Sequence, residues 1–172
     1  HDLYFLSSAA QNRAEIRRDY PMLAGRHARS AHAVITSTDH GKGLVRDRLG
    51  VSDDRIYVCR PGAPSGKTIG QVPNVPRDGY VLFVGTLDPR KNVGALLDAY
   101  QALLLRVSSV PALVIAGRAT PDAREWLSRM DAPPLAGRVR YIGYVAASVR
   151  ERLYEGARLL VLPSLDDGFG LT

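Results

Sequence analysis

The sequence has a single cysteine, Cys59. One thiol cannot form an internal disulfide framework or a cysteine-rich zinc site. Cys59 ends the strand-like run Ile56-Tyr57-Val58-Cys59, where a buried structural cysteine is expected, and a reducing cytoplasm is the default compartment. No apolar run approaches the roughly 18 residues that a membrane-spanning helix needs. The start, His1-Asp2-Leu3-Tyr4, lacks the basic and apolar regions of a secretory leader. Aromatic residues are sparse, at 7 %. That weighs against a nucleic-acid-binding surface, which would interleave aromatics with cations on one face. Lysine is scarcer still: three, against twenty arginines. No block of five or six like charges occurs, so most of these arginines read as a solvated basic surface.

What is present is an ordinary apolar fraction of 45 % and a formal charge of +6 over 172 residues. The length suffices for one domain with a core, or one domain and part of another. The charge favours anionic partners: phosphate-bearing ligands or an acidic membrane face. Residues 1–62 hold one clear unit, in which the strand Ala33–Thr36 leads to N-cap oxygens at Ser37 to Asp39. A helix from Gly41 to Leu49 follows, closed by Gly50, and then the strand Ile56–Cys59. Residues 63–79 are rich in Pro and Gly without apolar periodicity and read as a linker. From Tyr80 the pattern becomes regular. Apolar strands are expected near 80–84, 112–116, 139–142 and 159–162, with helices at 93–106, 121–130 and 147–157. Such alternation predicts an α/β fold with a parallel sheet covered on both faces. Ligands of such sheets bind beyond the carboxyl ends of the strands.

The residues that follow those strands therefore carry the chemistry. Gly62-Ala63-Pro64-Ser65-Gly66-Lys67-Thr68 imitates a phosphate loop, but it has three residues between its glycines where the motif needs four, and no helix can follow it. Gly85 directly after the first strand permits close approach of a ligand to the backbone. Arg90 and Lys91 stand at a helix entry, where the macrodipole disfavours cations unless an anion is near. A diphosphate would supply that anion, gripped bidentately by arginine and as a point charge by lysine. Two solvated loop cations remain an equally good reading of these residues alone. After the fourth strand, Asp166-Asp167-Gly168-Phe169-Gly170 crowds two carboxylates and consecutive N–H groups where sugar or phosphate oxygens could be held. A plain acidic turn is the equal alternative. Gly117-Arg118 and Gly143-Tyr144-Val145 close the other two strands and read as turns.

Taken together, Val84-Gly85-Thr86-Leu87, Arg90-Lys91-Asn92, Leu113-Val114-Ile115-Ala116-Gly117, Ile142-Gly143-Tyr144-Val145 and Leu162-Pro163-Ser164-Leu165-Asp166-Asp167-Gly168-Phe169-Gly170-Leu171 resemble the C-terminal domain of retaining GT-B glycosyltransferases. This is the large glycosyltransferase group 1 family, also called family four. His1-Asp2, Thr36-Ser37 and Arg60-Pro61-Gly62 resemble the end of that family's N-terminal domain. The resemblance implies a Rossmann-like domain over 80–172, incomplete at its C-terminus, preceded by the tail of a second Rossmann-like domain over 1–62. It also implies transfer of a sugar from a nucleotide-diphosphate-sugar donor to a glycan, lipid or small-molecule acceptor, with retention of configuration.

By that resemblance Arg90 and Lys91 hold the donor diphosphate beside Gly85, and the backbone near Val145 meets the base. Asp167, with Gly168, Phe169 and Gly170, takes the sugar hydroxyls, and His1 faces that sugar from the other domain. No metal, cofactor or nucleic acid is implied, and a cytoplasmic location, peripheral to the inner membrane face, is expected. Two departures stand out. Asp167 occupies a position where the family usually has Glu, and the family's second Glu, eight residues on, would fall beyond Thr172. The chain is therefore expected to be a piece of the enzyme, inactive by itself. A non-catalytic nucleotide-sugar-binding or anion-binding module is the alternative from another functional class.

Overall fold

The computed structural model describes residues 3–7, 14–62 and 75–167. The chain forms two compact units, His1–Pro64 with Asp166–Leu171, and Ser65–Leu165 with Thr172. Most of the expected linker, 63–74, and the phosphate-loop imitation within it lie outside the described residues.

In the first unit, helices α1 (Tyr4–Ser7) and α2 (Ala14–Ser30) precede strand β1 (Val34–Thr36), helix α3 (Asp39–Leu49) and strand β2 (Ile56–Val58). β1 and β2 pair in parallel with Ile35 opposite Tyr57. A parallel pair needs a crossover between its strands, and α3 supplies it. Thr38 caps α3, its hydroxyl oxygen accepting from the Gly41 N–H at 3.0 Å. The cap sets the first turn two residues before the expected start, since Thr38 leaves Asp39 free to enter the helix. Gly50 ends it at φ 67°, a left-handed conformation that suits glycine. Val45, Leu49, Val51 and Ile56 are buried together, with Leu3, Leu6, Ala24, Ala28 and Val34 against them. The opposite face of the two strands is open. Ile35 and Tyr57 are exposed there, and so, contrary to expectation, is Cys59. It lies one residue beyond the last paired position of β2, past the stretch that alternates toward the core.

The second unit carries β3 (Tyr80–Val84), α4 (Val93–Arg106), β4 (Leu113–Ala116), α5 (Arg124–Met130), β5 (Val139–Tyr141), α6 (Ala147–Gly156) and β6 (Ala157–Leu160). The four strands form one sheet in the order β5-β4-β3-β6, and every pairing is parallel. Successive residues of a strand face opposite sides. Phe83, Leu113 and Ile115 accordingly pack under α4 and α5, against Val93, Leu97 and Met130. Tyr80, Leu82, Val84, Val114 and Ala116 pack against Leu153 of α6. Each such aliphatic side chain contributes about 1.5–3 kcal/mol of transfer free energy on burial. The buried phenol of Tyr80 donates to the Leu153 carbonyl at 2.8 Å, tying α6 to β3. Burial pushes that phenol's pKa up.

Two expectations are corrected in this unit. The helix expected over 121–130 is a 3-10 turn, Pro121–Ala123, followed by α5. The fourth strand begins two residues earlier than expected, at Ala157, because α6 runs directly into it and its partner Tyr80 sits opposite Ala157. Among the described residues β6 has one neighbour only. Leu159 and Leu160 are exposed, so the cover on both faces holds for β3 and β4 but not for β6. No helix among the described residues is long and apolar enough to cross a membrane.

Candidate functional site

The carboxyl ends of β3, β4 and β5 converge through three glycines. Gly85 N–H donates to the Ala116 carbonyl at 2.9 Å, and Gly117 N–H donates to the Gly143 carbonyl at 2.7 Å. A Cβ on Gly117 would lie 1.8 Å from the Gly85 carbonyl oxygen, and its φ is 150°. Gly117 is thus a point of contact between two backbones rather than the plain turn its sequence suggests. The Tyr141 hydroxyl donates to its carbonyl at 2.9 Å. Beyond the glycines the chain after β3 still follows the chain after β4. Leu87 N–H donates to the Arg118 carbonyl at 2.8 Å, and the Thr120 hydroxyl donates to the Leu87 carbonyl at 2.6 Å. Leu87 itself is fully buried. These bonds fix the path of residues 85–88 with little freedom left.

That path delivers a short turn. Asp88 caps it, its Oδ1 accepting from the Lys91 N–H at 3.1 Å. Pro89 occupies the first position of the 3-10 turn Pro89–Lys91, which spares an N–H that would otherwise lack a partner. Asn92 reverses the backbone at φ 54° and α4 begins. Arg90 and Lys91 are therefore held on a rigid turn immediately beyond β3, an interior strand of the sheet. Arg90 is half-buried. Lys91 departs from the exposed loop lysine that its position suggests. It is 8 % exposed and is the one buried polar or charged residue among the described residues. Its stem passes beneath Gly85, where an added Cβ would lie 3.7 Å from Lys91 Cε. Lysine buries such a stem readily, but sinking its ammonium is costly without compensating partners.

The loop after β6 adjoins the same turn. Leu165 N–H donates to the Arg90 carbonyl at 2.9 Å, and the Asn92 side-chain amide donates to the Pro163 carbonyl at 3.2 Å. On the other side, the loops after β4 and β5 bring the Arg118 guanidinium to 5.8 Å from the Tyr144 ring centre, within cation–π range. Val145, partly buried, packs against the core that includes Leu153 of α6. Gly85, Arg90 and Lys91 thus share one edge of one sheet, and Val145 lies on the loop after β5. Asp167 is half-buried and groups with the first unit. His1, Gly168, Phe169 and Gly170 lie outside the described residues. The Asn92–Pro163 bond and the Arg118–Tyr144 contact carry no signal in the sequence, since each is recognisable only from partners far along the chain.

Comparison with known proteins agrees with this fold. The family model described as Glycosyl transferases group 1 matches residues 78–172. O-antigen chain mannosyltransferase B of Escherichia coli is 30 % identical over 156 residues, covering 83 % of this chain and 40 % of that protein. The sucrose-phosphate synthase of Thermosynechococcus elongatus superposes with a TM-score of 0.71 at 19 % identity, over 99 % of this chain and 45 % of its own. Anabaena Alr3699/HepE, solved in complex with UDP and glucose, gives 0.62 at 16 % identity, over 87 % and 42 %. The chain spans less than half the length of these proteins. With a family match over more than half of its residues and a parallel α/β architecture shared with GT-B enzymes, this chain belongs to the group 1 glycosyltransferases.

Proposed function

We propose that the protein carrying this chain transfers a hexose from a nucleotide-diphosphate sugar to an acceptor, with retention of configuration. The observation that carries the reading is the turn Pro89–Lys91. It presents Arg90 and a buried Lys91 beyond the carboxyl end of an interior strand, where parallel sheets take their ligands. Its similarity in fold to a protein solved with UDP and glucose supports a nucleoside-diphosphate ligand.

In this reading the donor diphosphate lies over Gly85, which has no side chain to hold it off. Arg90 grips its oxygens and Lys91 meets the charge that grows on the leaving oxygen as the sugar bond breaks. An interaction that strengthens at the transition state accelerates the chemical step itself, and it is worth most where water is excluded. These two cations offset charge on the departing diphosphate, the part a metal ion would otherwise play. The backbone at Val145 meets the nucleotide base. The donor sugar is assigned to Asp167, whose carboxylate accepts hydrogens from the sugar hydroxyls, together with Gly168, Phe169, Gly170 and His1. Asp167 reaches one methylene less far than the Glu usual there, which shifts the choice of sugar. Retention in this reading comes from attack on the same face as the departing diphosphate, held by positioning, since no side chain among the described residues stands out as a nucleophile.

The test is to incubate the full-length protein with α-linked nucleotide sugars and to determine the anomeric configuration of the product by NMR. An α-linked product supports the reading. A β-linked product, or turnover that persists without any nucleotide sugar, contradicts it.

A further inference from the structure

We infer that Asn92 is a positioning residue for donor binding, locking the Arg90–Lys91 turn to the loop that follows β6. The inference rests on the reading of those two cations as the diphosphate site. Asn92 is the only non-glycine residue with positive φ among the described residues, at 54°. That conformation is unfavourable for a residue with a Cβ, and glycine would adopt it at no steric cost. Asn92 also stands at the N-cap of α4, where asparagine normally uses its side chain to cap the helix it begins. It makes no such cap. The amide instead crosses to a residue 71 positions further on and donates to the Pro163 carbonyl at 3.2 Å.

A second bond runs in the opposite direction across the same gap. Leu165 N–H donates to the Arg90 carbonyl at 2.9 Å. The two ties bracket Lys91, one bound to the residue before it and one to the residue after it. Asp88 fixes the Lys91 N–H from below. The turn is therefore anchored at its start by its own cap and on both flanks of Lys91 by the β6 loop. The backbone bond needs no particular side chain. The amide bond is the part of the clamp that sequence controls, and displacement of a catalytic charge by about 1 Å is enough to slow a reaction severely.

Two substitutions separate positioning from folding. Asn92→Gly keeps the left-handed turn and removes the tie. Relief of the strained φ offsets the lost bond, so melting should match wild type. Asn92→Asp keeps the size but sets an acceptor against the Pro163 carbonyl. UDP, GDP and ADP are titrated calorimetrically into the full-length protein and these variants, with Lys91→Met in parallel, and kcat and donor KM are measured.

For the nucleotide that wild type binds, both Asn92 variants should weaken affinity roughly three- to tenfold, the loss of one hydrogen bond. kcat should fall as well, while the melting temperature of Asn92→Gly stays unchanged. Asn92 variants that bind and turn over like wild type while Lys91→Met is weakened overturn the inference and leave the site reading standing. A lowered melting temperature with unaltered affinity also overturns it. Unaltered affinity in Lys91→Met removes the site reading itself, and the inference with it.

Discussion

The two parallel sheets of this chain are built on the same rules and differ in how they are covered. In the second unit Leu82, Phe83, Leu113, Val114, Ile115 and Ala116 are all fully buried, so the strands β3 and β4 are enclosed on both faces. In the first unit β1 and β2 are buried on one face, and on the other the cross-strand neighbours Ile35 and Tyr57 stand 71 % and 58 % exposed. Enclosure fixes what lies at a sheet's edge. Where both faces are packed, the strand ends cannot shift, and loops bonded to them inherit that rigidity. The second unit can therefore hold a cation turn in one place, while the first leaves the Ile35 and Tyr57 face of its strand pair exposed.

The largest effect should come from breaking the glycine contact at the edge of the enclosed sheet. Gly117→Ala meets the Gly85 carbonyl 1.8 Å from its new Cβ and adopts φ 150°. It is expected to destabilise the second unit by about 3–5 kcal/mol through backbone strain and overlap. Trp126, the sole tryptophan and a residue of α5, reports the unfolding of this unit alone by fluorescence. A denaturation midpoint unchanged from wild type would show that the strand ends are not held as described.

Core truncation tests the contrast between the sheets directly. Leu97→Ala, under the enclosed sheet, should cost roughly 2–5 kcal/mol. Ile35→Thr, on the open face, should shift stability by less than about 0.5 kcal/mol. Equal losses in urea denaturation would mean that the open face of β1 and β2 is packed in solution.

Tyr80 gives a smaller effect with a defined pH window. Tyr80→Phe removes the hydrogen bond to Leu153, worth about 0.5–1.5 kcal/mol net. Because burial raises the phenol's pKa, the folded chain holds that proton more tightly than the unfolded one. The corresponding stability is fully present below the unfolded value, about 10, and is lost as pH rises through the folded value. Wild type should therefore lose part of its stability above about pH 10, and Tyr80→Phe should lack that component. Parallel alkaline profiles for the two proteins would contradict the buried phenol.

Much of the enclosed sheet can be read directly from the residues. Tyr80 to Val84 is an unbroken apolar run bounded by glycines, and Val93, Leu96, Leu97 and Tyr100 repeat at helical spacing, so both elements are legible to the residue. β6 is less legible, because apolar residues continue past its pairing to Leu162 and conceal where the strand stops. α2 is not legible, since Pro21 interrupts it and its many arginines blur the apolar stripe. At the site, composition and position identify Gly85, Arg90 and Lys91 as candidates. They say nothing of Lys91's burial, because a lysine on a loop reads as exposed until the strand end above it is known. The close approach of Gly117 and the bond from Asn92 to Pro163 are likewise tertiary, made between segments whose distance in sequence conceals them.

In the proposed reaction the buried lysine at the edge of the enclosed sheet stabilises the diphosphate as it leaves. Because its stem is packed, Lys91→Ala would remove both the charge and the packing, whereas Lys91→Met keeps a stem of similar length and removes only the ammonium. The decisive measurement is the kcat of the full-length Lys91→Met variant at saturating nucleotide sugar, with melting temperature as the control for folding. A loss of roughly a hundred- to a thousandfold in kcat is expected, with the fold retained. A variant that turns over at near wild-type rate with an unchanged donor KM would place the diphosphate elsewhere and contradict the account.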